Sequence, residues 1–172
     1  MFRDKGTKQR KGLHELIDQI NSDTVMVELG SANGESSIMF AEKVKHITCV
    51  DVWMNSTADR EKIFDETIKG YENITKLKTN SIEALKYFED KSLDGIYIDA
   101  NHSYEYVVED LRQWRQKIKD TGFIAGHDYT FKFIGVIQAI HELYDKPDHV
   151  FCDGSWIIYL DKLYDNNSNS IL

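Results

Sequence analysis

The chain has 172 residues, 41% of them hydrophobic and 29% charged, which suits one domain with a substantial core and is too short for two enzymatic domains. No run of about eighteen apolar residues occurs, so no membrane-spanning helix is expected. The formal charge of −8 opposes the phosphate backbone of a nucleic acid, which is therefore not the expected partner.

Met1–Gly6 lacks the apolar stretch of a secretory signal, and the expected location is the cytoplasm. Residues 1–11 carry Arg3, Lys5, Lys8, Arg10 and Lys11 against one acid, Asp4, and are expected to form a flexible basic arm. Gly12–Ile20 reads as a leading helix. Thr24–Leu29 is an apolar strand stopped by Gly30, and Ser36–Val44 follows as a helix with one apolar face from Ile38, Phe40, Ala41 and Val44. His46–Val52 is strand two, Thr57–Ile68 a charged helix and Ile74–Thr79 strand three. Ser81–Phe88 is a short helix whose first turn Asn80 or Ser81 can cap. Leu93–Ile98 is strand four with Asp99 at its end. Tyr104–Ile118 is the clearest helix, its apolar stripe made by Val107, Val108, Leu111, Trp114 and Ile118. Gly122–Gly126 is strand five, Ile134–Tyr144 a helix, and His149–Cys152 with Trp156–Leu160 a terminal hairpin turning at Asp153-Gly154-Ser155. Residues 163–172 form a polar tail. Cys49 and Cys152 sit in apolar, strand-like contexts and read as reduced core thiols.

This alternation predicts a single α/β domain over 1–172: a doubly wound, mostly parallel sheet with a C-terminal antiparallel hairpin. Ligands of such sheets bind at the carboxyl ends of the strands, where strand order reverses. Those ends carry Gly30, Asp51, Asn80, Asp99 and His127-Asp128, a polar set following apolar runs.

After strand one comes Glu28-x-Gly30-x-x-x-Gly34, then Ser36-Ser37 opening a helix. Glycines permit a sharp turn and close approach of a ligand to the backbone. The spacing matches neither Gly-x-Gly-x-x-Gly nor an NTP-binding loop. About twenty residues further on, Asp51 ends strand two, where a carboxylate can accept both hydroxyls of a ribose. Loop and acid together predict a nucleoside-containing ligand.

Val27-Glu28-Leu29-Gly30-Ser31-Ala32-Asn33-Gly34 resembles the first motif of class I S-adenosylmethionine-dependent methyltransferases, with Ala32 where a middle glycine commonly stands. The resemblance implies S-adenosylmethionine as cofactor. It places Gly30, Ser31, Asn33, Gly34 and Ser36 about the methionine end and Glu28 toward its amino group. It gives Asp51 to the ribose, Val52-Trp53 to the side of the adenine and Asn80-Ser81 to the adenine edge, with Asp99 also beside the cofactor. Asp99-Ala100-Asn101-His102 and Gly126-His127-Asp128-Tyr129 are similar to the chemistry end of small bacterial O-methyltransferases related to the sugar, antibiotic, catechol and caffeoyl-coenzyme A types. That likeness implies Asp99 and His102 as catalytic residues, and Asp99, His127 and Asp128 as ligands of a divalent cation, Mg2+ or Mn2+. A cation lowers the pKa of a hydroxyl, an imidazole can take its proton, and His127 as a ligand would favour Mn2+, Fe2+ or Zn2+ over Mg2+. Tyr129, Trp53 and Tyr104 are candidate substrate walls.

The expected reaction is methyl transfer to an oxygen of a small molecule, whether sugar, phenol or conjugate, by a chain able to form a homodimer. Three other readings stay open: a cofactor-binding module without transfer activity, methylation of nitrogen or of a macromolecule, and different chemistry on the cofactor, such as hydroxylation or sulfonium cleavage.

Overall fold

The computed structural model describes residues 10–54 and 59–161. The expected arm falls mostly outside this range and the polar tail entirely so. The described elements are α1 (Lys11–Asp18), β1 (Val25–Leu29), α2 (Glu35–Ala41), β2 (His46–Asp51), α3 (Arg60–Thr67), β3 (Ile74–Lys78), α4 (Ser81–Ala84, continued by a 3-10 turn Leu85–Tyr87), β4 (Leu93–Ile98), α5 (Tyr104–Arg115), β5 (Ile118–Gly126), a 3-10 turn Phe131–Phe133, α6 (Ile134–Tyr144), β6 (His149–Val150) and β7 (Trp156–Tyr159).

The strands form one seven-stranded sheet in the order β3-β2-β1-β4-β5-β7-β6. β1 pairs in parallel with both β2 and β4, β5 in parallel with β4, and β7 antiparallel to both β5 and β6. Strand order reverses between β1 and β4, so the crevice beyond their carboxyl ends is the place a ligand is held.

Side chains alternate across the sheet and divide the core in two. Val27, Leu29, Ile96 and Ile98 pack with α5 and α6 around Leu111 and Trp114. Met26, Ile47, Tyr97 and Ala125 pack with α1, α2 and Phe64 of α3. This parity carries Glu28 onto the α2 side, where it lies fully buried.

Three sequence expectations are corrected here. Ile118 does not close the stripe of α5. That helix ends at Arg115, Lys117 N–H turns back to the Trp114 carbonyl, and Ile118 opens β5 opposite Leu93. The hairpin strands are short, at 149–150 and 156–159. Of the two cysteines, both free, Cys49 is buried as expected, but Cys152 lies exposed in the turn before Asp153. Among the described residues no helix is long and apolar enough to cross a membrane.

Candidate functional site

The loop after β1 is tightly held. Gly30 has φ +88°, and a Cβ there would stand 2.2 Å from the Asp99 carbonyl oxygen. Only glycine lets the ends of β1 and β4 come this close. Asp99 N–H donates to the Leu29 carbonyl and Gly30 N–H to the Val50 carbonyl, so the loop is tied to both neighbouring strands. Gly34, φ +83°, begins α2 in the left-handed region. Ala32, standing where a middle glycine is common, also takes a positive φ, 43°.

Ala32 is fixed from both sides of its peptide. Its N–H donates to Asp51 Oδ2 at 2.9 Å, and its carbonyl accepts from the Trp53 indole Nε1–H at 2.8 Å. Asp51 Oδ1 accepts the Trp53 N–H at 2.8 Å. Each Asp51 oxygen therefore takes one backbone proton and keeps a lone pair free for a second donor. The Trp53 ring packs on Phe64, centroids 4.7 Å apart, beneath the Lys76 ammonium at 5.0 Å. Sequence reasoning put Trp53 beside an adenine. Its indole is instead committed to bracing the loop, and of the pair only Val52 lines the open cleft.

That cleft has a volume of about 750 Å3 and runs from Val50–Val52 past Gly30 and Ala32 to Thr79–Ser81, Asp99 and His102. Asn80 caps α4 by accepting the Glu83 N–H at 2.8 Å, as expected, and its neighbour Ser81 shares the wall. Arg60, Met54 and Tyr106 also line the cleft. No strand-end or spacing signal marks them: Arg60 and Tyr106 lie on helices facing the cleft and Met54 in the loop after β2.

Glu28, expected to face a ligand amino group, does not line this cleft. It lies beneath the loop, and Oε2 accepts from the Ser37 hydroxyl. Burial raises its pKa, an effect opposed by the nearby Ser36, Ser37 and Ser31 hydroxyls. Glu28 Oε1, Ser31 Oγ and Asn33 Oδ1 are buried without a hydrogen-bond partner. Ser36 faces a smaller cavity of about 220 Å3 on the α1 side, shared with Arg10, Tyr97, Asp99, His127 and Asp153. Asp99 lines both spaces. Arg10 pairs with Glu35 over the helix start, and Asp153 Oδ2 accepts the Leu13 N–H at 2.8 Å.

At the other end of the cleft, three side chains from two strand ends converge. His102 Nε2 lies 2.5 Å from Asp128 Oδ2 and 3.5 Å from Asp99 Oδ1. Asp99, His102 and Asp128 each offer one ligand atom, and these atoms all lie within 4.8 Å of one another. Asp128 takes the left-handed conformation, φ +62°, which aspartate tolerates better than most residues. Of the three residues expected as cation ligands, Asp99 and Asp128 meet here. His102 joins Asp99 and Asp128, whereas His127 turns into the smaller cavity and meets Asp128 only through Nδ1, 3.2 Å from Oδ1. The carboxylates raise the His102 pKa, with Asp99 the larger cause, against partial desolvation. The His102 ring lies 4.5 Å from that of Phe133. Tyr129 is engaged elsewhere, its hydroxyl 2.7 Å from His141 Nε2, and Tyr104 O–H donates to Glu142.

The fold and the site define a doubly wound α/β protein with an open cleft across the ends of β1, β2 and β4 and titratable groups at one end of it. The profile of a methyltransferase domain matches residues 27–129, more than half of the chain, from within β1 to Tyr129. The chain belongs to this methyltransferase-domain family, and that membership supports methyl transfer from S-adenosylmethionine. No curated protein matches the sequence.

Solved structures share the fold at low identity. The YcgJ protein of Bacillus subtilis superposes with a TM-score of 0.58 at 18% identity, over 70% of this chain and 51% of that one. Phosphoethanolamine N-methyltransferase 1 of Haemonchus contortus, solved with phosphoethanolamine and S-adenosylhomocysteine, gives 0.61 at 14%, over 74% of this chain and 27% of that one. A provisionally assigned O-methyltransferase of Klebsiella pneumoniae gives 0.61 at 17%, over 91% and 79%. The chain therefore spans about half the length of the first protein and about a quarter of the second.

Proposed function

We propose that this chain transfers a methyl group from S-adenosylmethionine to an oxygen of a small-molecule acceptor, with His102 taking the acceptor's proton. The convergence of Asp99, His102 and Asp128 at the rim of the cofactor cleft carries this reading.

The cleft suits the cofactor. Asp51 keeps one free lone pair on each oxygen for the ribose hydroxyls. Asn80 and Ser81 border the adenine end together with Val52. Gly30 and Ala32 line the β1 end of the cleft, the end given to the methionine of the cofactor, and Ser36 faces the adjoining smaller cavity. Asp99 lines both the cleft and the smaller cavity, so it can contact the cofactor. When bound, the cofactor supplies an electrophilic methyl group on a sulfonium.

A neutral hydroxyl is a weak nucleophile, and a positioned base is worth roughly 10²–10⁴-fold. The carboxylates of Asp128 and Asp99 stand 2.5 and 3.5 Å from His102 Nε2 and favour a proton there by their charge, which would leave Nδ1 to accept the acceptor's proton. His102 would take the acceptor's O–H proton, and the bound cofactor would supply the methyl group and leave as a neutral thioether.

A second reading, favoured by the mutual reach of the three ligand atoms, has Asp99, His102 and Asp128 holding a divalent cation that acidifies the hydroxyl. Two carboxylates and an imidazole suit Mn2+, Fe2+ or Zn2+ better than Mg2+. Ligand atoms on one octahedral ion with bonds near 2.1 Å stand about 3 Å apart. The 2.5 Å contact between His102 and Asp128 would therefore have to open, so the proton-transfer reading is preferred.

The test is transfer from cofactor labelled with a trideuterated methyl group to a panel of hydroxylated and aminated acceptors, in EDTA and in Mn2+, read by mass spectrometry. Label on oxygen in EDTA supports the reading. Label on nitrogen alone, or transfer only with metal, overturns it.

A further inference from the structure

Helix α5 buries one carboxylate on its core side. Asp110 is only 4% exposed, on the same helix as the buried Val107, Leu111 and Trp114. An ionisable group is costly to bury unless something bonds it, so what Asp110 meets accounts for its place. It meets the Ser81 hydroxyl. Burial raises the Asp110 pKa to about 6, the bond from Ser81 opposes that rise, and the charge of Glu109 adds to it. Above that value Asp110 is a carboxylate, which only accepts, so the Ser81 O–H is the donor.

One turn further along α5, the Trp114 indole Nε1–H donates to the Ser81 carbonyl at 3.2 Å. Ser81 is thus gripped through hydroxyl and carbonyl by two residues of one helix. The Trp114 ring also packs on Phe88, centroids 5.3 Å apart, just beyond the 3-10 turn that continues α4. Both ends of this short segment are therefore set against α5, and Ser81 lines the cleft.

A hydroxyl whose proton is committed to a carboxylate offers only lone pairs to anything else. The neighbours of Ser81 on the cleft wall are bonded differently. Asn80 Oδ1 already accepts the Glu83 N–H at 2.8 Å. The Thr79 hydroxyl donates to Glu83 Oε2 at 3.1 Å, but Glu83 is exposed and water competes for it. Ser81 is the wall residue whose proton is fixed from inside the core.

We infer that Asp110 is a positioning residue: it holds the Ser81 hydroxyl as a hydrogen-bond acceptor on the cleft wall, so that this end selects a base carrying an exocyclic amino group over one carrying a carbonyl. The inference rests on the proposed cofactor for the identity of the base. Asp110 itself touches no ligand and acts through Ser81.

The experiment is calorimetric titration of the full chain with S-adenosylhomocysteine and with S-inosylhomocysteine, in which a carbonyl replaces the amino group, on the wild type, Asp110→Asn and Ser81→Ala. The expected result is binding of the adenosyl compound at least tenfold tighter by the wild type, with the ratio falling below about threefold in both variants. In Asp110→Asn the amide can donate to the Ser81 oxygen, which frees the hydroxyl proton for a carbonyl. Equal affinities in the wild type, or a ratio that stays at its wild-type value in either variant while both affinities fall together, overturns the inference and leaves Asp110 a packing role. Failure of the wild type to bind S-adenosylhomocysteine at all overturns the cofactor reading and the inference with it.

Discussion

The two ends of the cleft are built differently. Around β1 and β2 the site is made by the backbone. Gly30 is wedged against Asp99, and Ala32 is held through both its N–H and its carbonyl, so the Asp51 side chain braces the loop it is to share with a ligand. Around β4 and β5 it is made by side chains alone: a histidine between two carboxylates, one of them on a left-handed residue. A backbone-built end is rigid and holds a cofactor of fixed shape. An end built from titratable side chains changes with protonation, which proton transfer requires.

This contrast can be broken from either end. The largest effect is expected from Gly30→Ala. An added methyl group would stand 2.2 Å from the Asp99 carbonyl oxygen at a φ of +88°, combining overpacking with left-handed strain for a loss of at least about 3 kcal/mol. Urea denaturation measures it, and both ends should fail together. Asp51→Ala should weaken binding of S-adenosylhomocysteine by about 1.5–3 kcal/mol through lost charge-assisted hydrogen bonds, read by calorimetry, with His102 still titrating normally. Trp53→Phe keeps the ring on Phe64 but removes the bond to the Ala32 carbonyl, a loss of about 1 kcal/mol in stability.

The smallest effect is a pH dependence confined to the other end. The His102 pKa is raised in the fold above 6.5. Its pairing therefore adds stability that is fully present below pH 6.5 and is lost as pH rises through the folded value. Activity should rise over that same upper range as the imidazole becomes neutral. Denaturation midpoints across pH should lose this slope in His102→Gln.

The backbone-built end was the more legible in sequence. The short loop with its glycines, the acid ending β2, the Asn80 cap and the alternation of strands and helices all follow from local spacing and apolar periodicity. What escaped depends on direction. The burial of Glu28 follows from its strand parity, which sends it to the α2 side with Met26. The indole of Trp53 is turned by a positive φ of 44° that no propensity announces in a non-glycine residue. At the other end, the residue types were legible but not their partners. His127 and Asp128 are adjacent in sequence, yet the turn at Asp128 sends one to the small cavity and the other to His102. Arg10 and Asp153 reach that same cavity from the two ends of the described chain, a proximity that only tertiary structure creates.

In the proposed function, cofactor binding and proton transfer reside in separate ends of one cleft. The most direct test of this claim compares wild type with His102→Gln, measuring the Kd for S-adenosylhomocysteine and the single-turnover rate of methyl transfer on the same preparations. The predicted result is a Kd within about twofold and a rate lower by roughly 10²–10⁴-fold. An unchanged rate, or a cofactor affinity that falls along with it, would contradict the claim.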